Sequence, residues 1–486
     1  MYNLNFVNKC HKNLYSNKIF YKYYDDEKSY KDLKNYYLKF NFLIKSNRLR
    51  IATFSDKSFE MYASIVSIFL TNNIWVPLSL SHPVDRIIKI LKLSKIDIIL
   101  VENKSKILRD KKIKKYLNFS KIKIISYAEI YKQKEEKKLI KRPRFNFNDL
   151  SMIYFTSGSS GNPKGVCITY NSFISCFKSK NKILYKNKKK LIFGDYHDPS
   201  FVISLVIIFP CLFLGSTISP TRNLYETLNP LPHLKKNNIN VLITVPSTMD
   251  RIKEFHTLKT PIKKIEILIM CGEPFKLSLA KYIYAKIKPK KLYNFYGSTE
   301  VSPWIFFHKC SPQDLKNFSK FEMMPVGIPL QNIKVKILNN ELVVSGPVLS
   351  PGYLNSKDDK DIFFKDKKNF WYRTKDQVEI YKKKYFIKGR VDSVVKIQGY
   401  RIDLGDVEKN LRGFKNIDDA LVYLKSINNK KILCCVIKSR YNLKKIELIK
   451  KLSNKVPNYM VPQRFKVYKT FPLNRSGKID RNKIMI

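Results

Sequence analysis

The sequence predicts an α/β protein with a large N-terminal domain built from βαβ units, a β-rich subdomain and a small α+β C-terminal domain. Helical apolar periodicity alternates with short apolar runs as far as about residue 310, which is typical of largely parallel sheets. Beyond that point the pattern changes to short strands separated by tight turns. The last hundred residues then combine two helical stretches with further strands. A chain of 486 residues is long enough for two to four domains.

The first 300 residues contain the predicted βαβ units. Residues 60–70 and 87–93 have helical periodicity, and residues 74–78 and 98–101 are short apolar strands. Residues 150–155 form a predicted strand that leads into a loop rich in Ser and Gly. Further strands are predicted at 241–245, 265–270 and 292–296, each followed by a turn or a polar cluster. The charged stretch 132–144 is predicted to be a surface connection.

The remaining elements define the β-rich subdomain and the C-terminal domain. Strands are predicted at 333–338, 342–345, 378–381 and 385–388, and helices at 404–412 and 443–452. We therefore expect a large domain over residues 1–389 and a small domain over residues 390–486.

One uncharged segment, residues 201–218, is close to membrane-spanning length. Pro210 and Gly215 interrupt it, and Ser204 and Ser216 dilute its apolar character. Because large domains often bury one such helix completely, we expect a core helix and no transmembrane segment.

The net charge of +54 comes from 93 Lys and Arg against 39 Asp and Glu. Such an excess raises the possibility of a basic protein that binds nucleic acid or anionic lipid without catalysis. However, the basic runs are scattered along the chain, and Lys is accompanied by abundant Ile, Asn, Tyr and Phe, all encoded by AT-rich codons. Biased base composition therefore explains the charge better than a nucleic-acid site, although the charge would also attract an acidic protein partner.

The spacing of the cysteines and the composition of the N-terminus bear on the cellular compartment of the protein. None of the eight cysteines forms a C-x-x-C pair, so neither a structural zinc site nor a disulfide framework is expected. Residues 1–12 contain Asn, Lys and His where a signal peptide needs an apolar core. We expect a cytoplasmic protein.

The strongest local motif is T-S-G-S-S-G-N-P-K-G at residues 156–165. A loop of this composition after a strand can wrap backbone N–H groups around phosphate oxygens, while Lys164 supplies positive charge. It is not a Walker loop, because Pro163 precedes the lysine and Gly165 follows it.

Four further motifs follow in order along the chain. They are Y-G-S-T-E at 296–300, Y-R-T-K-D at 372–376, G-R-V-D-S-V-V-K-I-Q-G-Y-R-I-D-L-G-D-V-E at 389–408, and N-R-S-G-K-I-D-R at 474–481. With all five motifs in this order, the chain resembles the adenylate-forming superfamily. That superfamily includes acyl-CoA synthetases, luciferases, amino-acid adenylation domains and D-alanine:carrier-protein ligases.

The resemblance implies an ATP site and a set of catalytic groups. The implied ATP contacts are Thr156, Ser157, Gly158, Ser159, Ser160, Gly161, Lys164, Gly272, Glu273, Asn294, Tyr296, Gly297, Asp376 and Arg390. Tyr296 would pack on the adenine ring, and Asp376 would accept hydrogen bonds from the ribose hydroxyls. Lys478 and Thr299 would act on the α-phosphate, Glu300 would hold Mg²⁺, and Asp392 would be the hinge of a mobile C-terminal domain. Lys375 departs from the family, which usually has Gly there.

These residue types also suit the chemistry on physical grounds. ATP and a carboxylate are both anions, so attack on the α-phosphate needs Lys478 and Mg²⁺ to offset the repulsion and the developing charge. A carboxylate such as Glu300 is a suitable oxygen ligand for Mg²⁺.

The acid is predicted to be an amino acid with a small side chain. An α-ammonium group entering an apolar pocket needs a paired anion, which the resemblance assigns to Asp198, with Asp195 as the fallback. Asp198 could instead be a helix N-cap with Pro199 at the first helical position. The resemblance gives the pocket lining as Asp198, Pro199, Val202, Ile269, Cys271, Phe295, Pro303 and Trp304. Bulky Phe295 and Trp304 would shorten the pocket, which favours alanine, glycine or serine.

The expected acceptor is a thiol. The chain ends shortly after Arg481, so we expect a separate, acidic carrier protein that presents a phosphopantetheine arm, with CoA as the competing acceptor. The expected reaction is ATP-dependent activation of a small amino acid as aminoacyl-AMP with release of pyrophosphate, followed by transfer to that thiol. An acyl- or aryl-CoA synthetase of the same superfamily remains the alternative, and it would not need Asp198 as an amine partner.

Overall fold

The structure is a computed structural model that describes residues 2–102, 109–133, 143–157, 162–185, 190–256, 262, 265–355, 357, 361–427 and 430–472. The helices are α1 Tyr2–Asn13, α2 Tyr30–Leu43, α3 Phe59–Leu70, α4 Val84–Ser94, α5 Lys111–Asn118, α6 Tyr127–Tyr131, α7 Tyr170–Leu184, α8 Leu205–Leu214, α9 Leu224–Leu228, α10 Pro230–Lys236, α11 Pro246–Phe255, α12 Leu277–Tyr282, α13 Asp314–Asn317, α14 Leu404–Arg412 and α15 Lys445–Ser453.

The strands run through the whole described chain. They are β1 Ile19–Tyr23, β2 Asp26–Ser29, β3 Arg50–Phe54, β4 Ile74–Pro77, β5 Ile98–Val101, β6 Lys123–Ser126, β7 Leu150–Thr156, β8 Lys164–Thr169, β9 Ile192–Asp195, β10 Thr217–Pro220, β11 Val241–Thr244, β12 Ile267–Cys271, β13 Lys291–Tyr296, β14 Phe306–Cys310, β15 Ile328–Pro329, β16 Lys334–Leu338, β17 Glu341–Ser345, β18 Phe363–Lys365, β19 Phe370–Tyr381, β20 Lys384–Arg390, β21 Val394–Ile397, β22 Tyr400–Asp403, β23 Asp419–Ile427, β24 Lys430–Lys438 and β25 Arg464–Tyr468.

Two mainly parallel sheets form the bulk of the molecule. One has the strand order β6-β5-β3-β4-β7-β8, and the other has the order β15-β14-β13-β12-β11-β9-β10-β1-β2. The inner strands of both sheets are mostly apolar and buried, as expected where helices cover both faces, whereas the edge strand β2 is polar. The largest apolar cluster joins helices such as α3 and α8 to strands of both sheets. The α/β prediction for the N-terminal part is therefore confirmed.

The β-rich subdomain is an antiparallel sheet of order β16-β17-β19-β18, with β20 paired to β19. After it, β21 and β22 form a two-stranded hairpin, and β23, β24 and β25 form a separate sheet. Helices α14 and α15 pack on that sheet around an apolar cluster of their own, which includes Ile402, Val407 and Leu452. The predicted α+β character of the C-terminal part is confirmed.

Most predicted elements appear within a few residues of their expected bounds. The helices predicted at 60–70, 87–93 and 404–412 are α3, α4 and α14. The strands predicted at 150–155, 241–245 and 292–296 are β7, β11 and β13. Most of the predicted surface connection at 132–144 lies outside the described residues.

Two predictions need correction. Residues 201–218 do not form one helix, because a 3-10 turn at Val202–Ser204 precedes α8, and Gly215 then takes a left-handed conformation (φ 63°) that ends α8 before β10. The strand predicted at 378–381 is the end of the longer β19, in which Lys375 has φ 61°. Lys375 therefore has a left-handed conformation that glycine adopts readily and that other residues adopt uncommonly.

No described helix is long and apolar enough to cross a membrane.

Candidate active site

The motif at 156–165 connects two antiparallel strands. Thr156 is the last residue of β7 and lies opposite Lys164, the first residue of β8. Lys164 Nζ lies 5.4 Å from the centre of the Tyr353 ring. Ser157 is nearly buried and donates a hydrogen bond to the carbonyl oxygen of Arg401 at 2.9 Å. Gly158, Ser159, Ser160 and Gly161 lie outside the described residues, so the structure places only the two ends of this loop.

A chain of polar contacts joins the second, third and fourth motifs. The Tyr296 hydroxyl, at the end of β13, donates to Asp376 Oδ2. Asp376 Oδ1 accepts from Arg390 Nη1 at 2.7 Å, and Arg390 also forms a two-bonded contact with Asp392 at 2.7 Å. The predicted adenine, ribose and hinge residues are therefore in direct contact, although they are up to 96 positions apart in the sequence.

These hydrogen-bonded residues line a cavity of about 550 Å³, which we call the aspartate cavity. Its lining includes Gly272, Glu273, Asn294, Phe295, Tyr296, Gly297, Asp376, Arg390 and Asp392. Its volume lies within the range usual for small-molecule sites. Seven predicted ATP contacts thus converge on one cavity.

The turn after β13 positions Thr299 and Glu300. Gly297 sits against the backbone of the next segment, since a Cβ placed on it would lie 2.1 Å from the Pro303 carbonyl oxygen. Only glycine permits this close approach. A 3-10 turn at Thr299–Val301 follows and directs the Glu300 side chain into the interior.

Glu300 is fully buried, and its charge is balanced by several donors. Its Oε1 accepts from Tyr353 OH at 2.9 Å and from Arg401 Nη1 at 2.8 Å. Burial opposes ionisation, but Arg401, a backbone N–H, Ser298 and Tyr353 together lower the pKa of Glu300 to about 2. Glu300 is therefore an anion at neutral pH.

The carboxylate fits the predicted metal role. Within the described part of the chain, Glu300 Oε2 is buried without a hydrogen-bond partner, which leaves one hard oxygen available to a cation. The described residues contain no group of three or more His, Cys, Asp and Glu that would hold a metal without other ligands. This suits Mg²⁺, which is usually held by one or two carboxylates together with substrate phosphates and water.

The hairpin of residues 394–403, formed by β21 and β22, is inserted among these groups. Besides the Arg401–Glu300 ion pair, the Gly399 N–H donates to Glu273 Oε1 at 2.7 Å, and the Asp403 N–H donates to Ser157 Oγ at 3.2 Å. Lys396 lies between the aspartate cavity and the cavity described next. Burial lowers the pKa of Lys396. The hairpin thus contacts two predicted ATP-binding side chains, Glu273 and Ser157, and the predicted metal ligand Glu300.

Four predicted substrate residues line a second, smaller cavity, the tryptophan cavity, of about 100 Å³. They are Val202, Cys271, Pro303 and Trp304. Phe295 packs on Trp304, with ring centres 4.4 Å apart, and Ile269 is fully buried within β12. Gly297 and Thr299 also line this cavity. A substrate bound in it would therefore lie beside Thr299, the residue predicted to contact the α-phosphate of ATP.

Asp198 and Pro199 line a third cavity of about 420 Å³, the arginine cavity, which also contains Arg222 and Arg251. Asp198 accepts hydrogen bonds from Ser200 Oγ at 2.7 Å and Ser79 Oγ at 2.5 Å. The alternative role as a helix N-cap is wrong, because the 3-10 turn begins only at Val202 and Asp198 instead closes a local turn onto Ser200. The structure therefore does not place Asp198 among the residues of the tryptophan cavity.

The arginine and tryptophan cavities adjoin each other. Phe201 lines both, and the hairpin turn separates them, with Gly399 on one side and Gln398 and Tyr400 on the other. Asp195, the fallback for the amine contact, is fully buried and accepts a hydrogen bond from Tyr62 at 2.6 Å.

The sequence patterns predict no individual role for Arg401, Lys396 or Lys180. Arg401 and Lys396 lie inside the motif at 389–408, but only the fold shows that they reach Glu300 and the two cavities. Lys180 of α7 is buried, with Nζ 3.9 Å from the centre of the Trp304 ring, and no sequence signal distinguished it from the other lysines. Lys478 lies outside the described residues.

Known proteins resemble this chain over most of its length. The family described as AMP-binding enzyme matches residues 11–354. A D-alanine--D-alanyl carrier protein ligase of Staphylococcus haemolyticus is 27% identical over 473 residues, covering 95% of this chain and 94% of that protein. The corresponding ligase of Staphylococcus aureus is 29% identical over 350 residues, covering 69% and 71%.

Solved structures share the fold. An o-succinylbenzoate CoA synthetase of Bacillus subtilis superposes with a TM-score of 0.83 at 19% identity, covering 98% of each chain. A Vibrio cholerae adenylation domain in complex with glycyl-adenosine-5'-phosphate superposes with a TM-score of 0.82 at 18% identity, covering 99% of this chain and 97% of that one.

Proposed function

Because the chain belongs to the AMP-binding enzyme family and is an adenylate-forming ligase, we propose that it activates a small amino acid with ATP and Mg²⁺. The aminoacyl-AMP would then be transferred to the phosphopantetheine thiol of a carrier protein. The observation that carries the proposal is the convergence of Tyr296, Asp376 and Arg390 on one cavity, beside a small apolar cavity that reaches Thr299.

We expect the adenylation step to use the residues that the resemblance names. Tyr296 and Asp376 would bind the adenosine part of ATP in the aspartate cavity, and Thr156, Lys164 and the glycine-rich motif between them would contact the phosphates. Glu300 would hold Mg²⁺, whose charge offsets that of the phosphates when it is bound. Lys478, which lies outside the described residues, would stabilise the charge on the α-phosphate as the carboxylate of the amino acid attacks and pyrophosphate leaves.

The size of the tryptophan cavity supports a small side chain. Trp304 lines the cavity, the Phe295 ring packs against it, and Lys180 Nζ lies over the indole ring, so both neighbours restrict movement of the indole. The relatives named D-alanine ligases and the structure that holds glycyl-AMP act on or contain small amino acids, which agrees with this proposal.

The arginine cavity supports entry of a thiol arm. It adjoins the tryptophan cavity at Phe201 and the hairpin turn, and Arg222 and Arg251 could bind the phosphate of phosphopantetheine. The net charge of +54 would favour an acidic carrier protein. CoA has the same arm and phosphate, and it is therefore the second candidate acceptor.

The deciding experiment is amino-acid-dependent exchange of labelled pyrophosphate into ATP, with L- and D-amino acids tested against fatty and aryl acids. Exchange confined to one or two small amino acids is expected. A preference for a large aromatic amino acid would contradict the small-pocket argument. Exchange only with acids that lack an amine would indicate an acyl- or aryl-CoA synthetase instead.

Replacing Asp198 tests whether the substrate is an amino acid or an acid without an amine, and replacing Asp110 provides the control. Asp198→Asn should weaken exchange with amino acids at least tenfold, because the ammonium group would lose its anion. An aryl acid should be unaffected. Asp110→Asn changes a half-buried carboxylate at the N-cap of α5, a position where Asn also caps well, and it should leave exchange unchanged.

A further inference from the structure

One face of α7 holds the segment that ends at Trp304. Ser172, Cys176 and Lys180 are spaced four residues apart, so they lie on the same side of the helix. Ser172 Oγ lies 3.2 Å from Ser302 Oγ, and Cys176 Sγ donates to the Trp304 carbonyl oxygen at 3.5 Å. Lys180 Nζ lies 3.9 Å from the centre of the Trp304 ring. The helix thus contacts the backbone and the ring of the same tryptophan.

The indole ring is shared between Lys180 and the tryptophan cavity. Trp304 lines this cavity, and Lys180 contacts the same ring without belonging to the lining. The thiol of Cys271, which does belong to the lining, lies within the influence of the ammonium group. Burial raises the pKa of the Cys271 thiol to about 12, and the charge of Lys180 opposes this rise. Lys180 is therefore one side chain away from the space that receives the substrate.

Lys180 is an ammonium group without an anion. Its side chain is 3% exposed, and the described residues provide no salt bridge for it. The face of the indole ring compensates part of the charge, since an aromatic ring attracts a cation placed over it. A carboxylate would compensate the charge more completely, because a buried ion is best stabilised by an ion of opposite sign. If the indole were absent, the space it fills would join the cavity and expose Nζ to a ligand.

We propose that Lys180 and Trp304 together determine which side chains the enzyme accepts: Lys180 is a positioning residue that holds the indole in place, and the indole keeps an acidic side chain from reaching Lys180. This inference rests on the proposed function, because it concerns the side chain of the amino acid that is activated. The preference for a small side chain then depends on one ring, which covers a latent site for aspartate or glutamate.

The first test compares acidic amino acids with their amides, which have nearly the same shape and no charge. In pyrophosphate exchange with the L- and D-forms, the wild-type chain should use neither glutamate nor glutamine efficiently. Trp304→Ala should use glutamate roughly tenfold better than glutamine in kcat/KM, because the acid can pair with Lys180. Aspartate and asparagine provide a shorter pair. Trp304→Val leaves less empty volume and is made in parallel, so the test does not depend on the folding of one variant.

The matched double variants assign the effect to Lys180. Trp304→Ala/Lys180→Met should prefer glutamine to glutamate, since the enlarged cavity has lost its cation. Trp304→Ala/Lys178→Met removes an exposed lysine of the same helix and should keep the preference for glutamate. A general loss of structure would lower exchange with both amino acids and would not reverse their ratio.

The second test does not require catalysis. Propionate should raise the unfolding temperature of Trp304→Ala by about 2 °C more than propionamide does at the same concentration, because only the anion pairs with Lys180. The difference should vanish in Trp304→Ala/Lys180→Met and persist in Trp304→Ala/Lys178→Met. Circular dichroism measures the unfolding temperatures and shows that each variant is folded.

Equal use of glutamate and glutamine by Trp304→Ala, or a ratio that Lys180→Met leaves unchanged, would overturn the proposal. If the tryptophan variants support no exchange at all, the propionate measurement decides in the same way. Failure of the proposed function would show differently, since the wild-type chain would then exchange with no amino acid, while propionate would still stabilise Trp304→Ala and not its Lys180→Met derivative.

Discussion

Glu300 shows at the residue scale how a buried charge depends on distant groups. Its pKa is about 2, compared with an ordinary value of 4.5, because Arg401 and hydrogen-bond donors outweigh the burial. A lowered pKa means that the folded state binds the proton less well than the unfolded state. The resulting stabilisation is complete above pH 4.5 and is lost as the pH falls towards 2.

We therefore expect acid destabilisation to depend on Glu300. The lowering of the pKa from 4.5 to about 2 corresponds to roughly 3 kcal/mol of stability. Glu300→Gln should reduce the loss of unfolding temperature between pH 5 and pH 3, measured by circular dichroism. The control Glu379→Gln changes a carboxylate whose side chain is 42% exposed, and it should follow the wild-type curve. Identical curves for all three proteins would contradict the assignment.

Lys180 is a buried cation for which the described residues provide no salt bridge. It lies against Trp304 and close to Cys176, and burial lowers the pKa of its ammonium group. The unfolded state thus binds the proton more readily, so wild-type stability should rise as the pH increases towards 10.5.

Replacing Lys180 with Met should stabilise the fold. Met fills a similar volume and carries no charge. We expect the free energy gained by removing the buried charge to exceed the free energy lost with the cation–π contact to Trp304. We expect a rise of about 2 °C in unfolding temperature at pH 7 and a smaller rise at pH 10. Lys178→Met, at an exposed position on the same helix, is the control and should have little effect. A rise that does not shrink at pH 10 would show that charge is not the cause.

At the scale of elements, the turn between β13 and β14 brings two backbone segments together without side chains between them. Gly297 lies against the Pro303 carbonyl, and the predicted catalytic residues Thr299 and Glu300 follow within three positions. A side chain at position 297 would therefore displace the backbone that leads to both residues.

Gly297→Ala should therefore disturb the site. The new methyl group cannot be accommodated 2.1 Å from a carbonyl oxygen without moving the backbone. Pyrophosphate exchange should fall at least a hundredfold, and the unfolding temperature should decrease. Gly413→Ala, where the nearest atom is 3.5 Å away, is the matched control. Near-normal exchange by Gly297→Ala would mean that the turn does not hold the catalytic groups.

On the scale of the whole molecule, the C-terminal part contacts the rest through small, separate interactions. Lys455 pairs with Asp85 and Lys430 with Glu254, each at 3.0 Å, and Tyr400 contacts Phe201 with ring centres 4.4 Å apart. Exposed ion pairs contribute little stability, so such an interface suits a domain that rotates about the hinge predicted at Asp392.

If the C-terminal domain rotates between the two half-reactions, a single substitution should be able to abolish adenylate formation without abolishing transfer to the thiol. Lys478→Ala should abolish pyrophosphate exchange but leave transfer from supplied aminoacyl-AMP to the thiol within about threefold of wild type. Lys469→Ala provides a control at a lysine of the same region outside the five motifs, and it should affect neither step. Equal loss of both steps in Lys478→Ala would contradict the assignment.

The five motifs determined the family, and the apolar periodicity determined the order of most elements, because both depend on local residue types at fixed spacing. The resemblance also predicted nucleotide contacts, seven of which line the aspartate cavity. Periodicity could not place the end of α8, where the conformation of Gly215 and pairing of β10 in the sheet decide the outcome. Nor could it show that Asp198 faces the arginine cavity or that Arg401 reaches Glu300. Those positions depend on packing between segments more than a hundred residues apart, and only the tertiary structure brings these segments together.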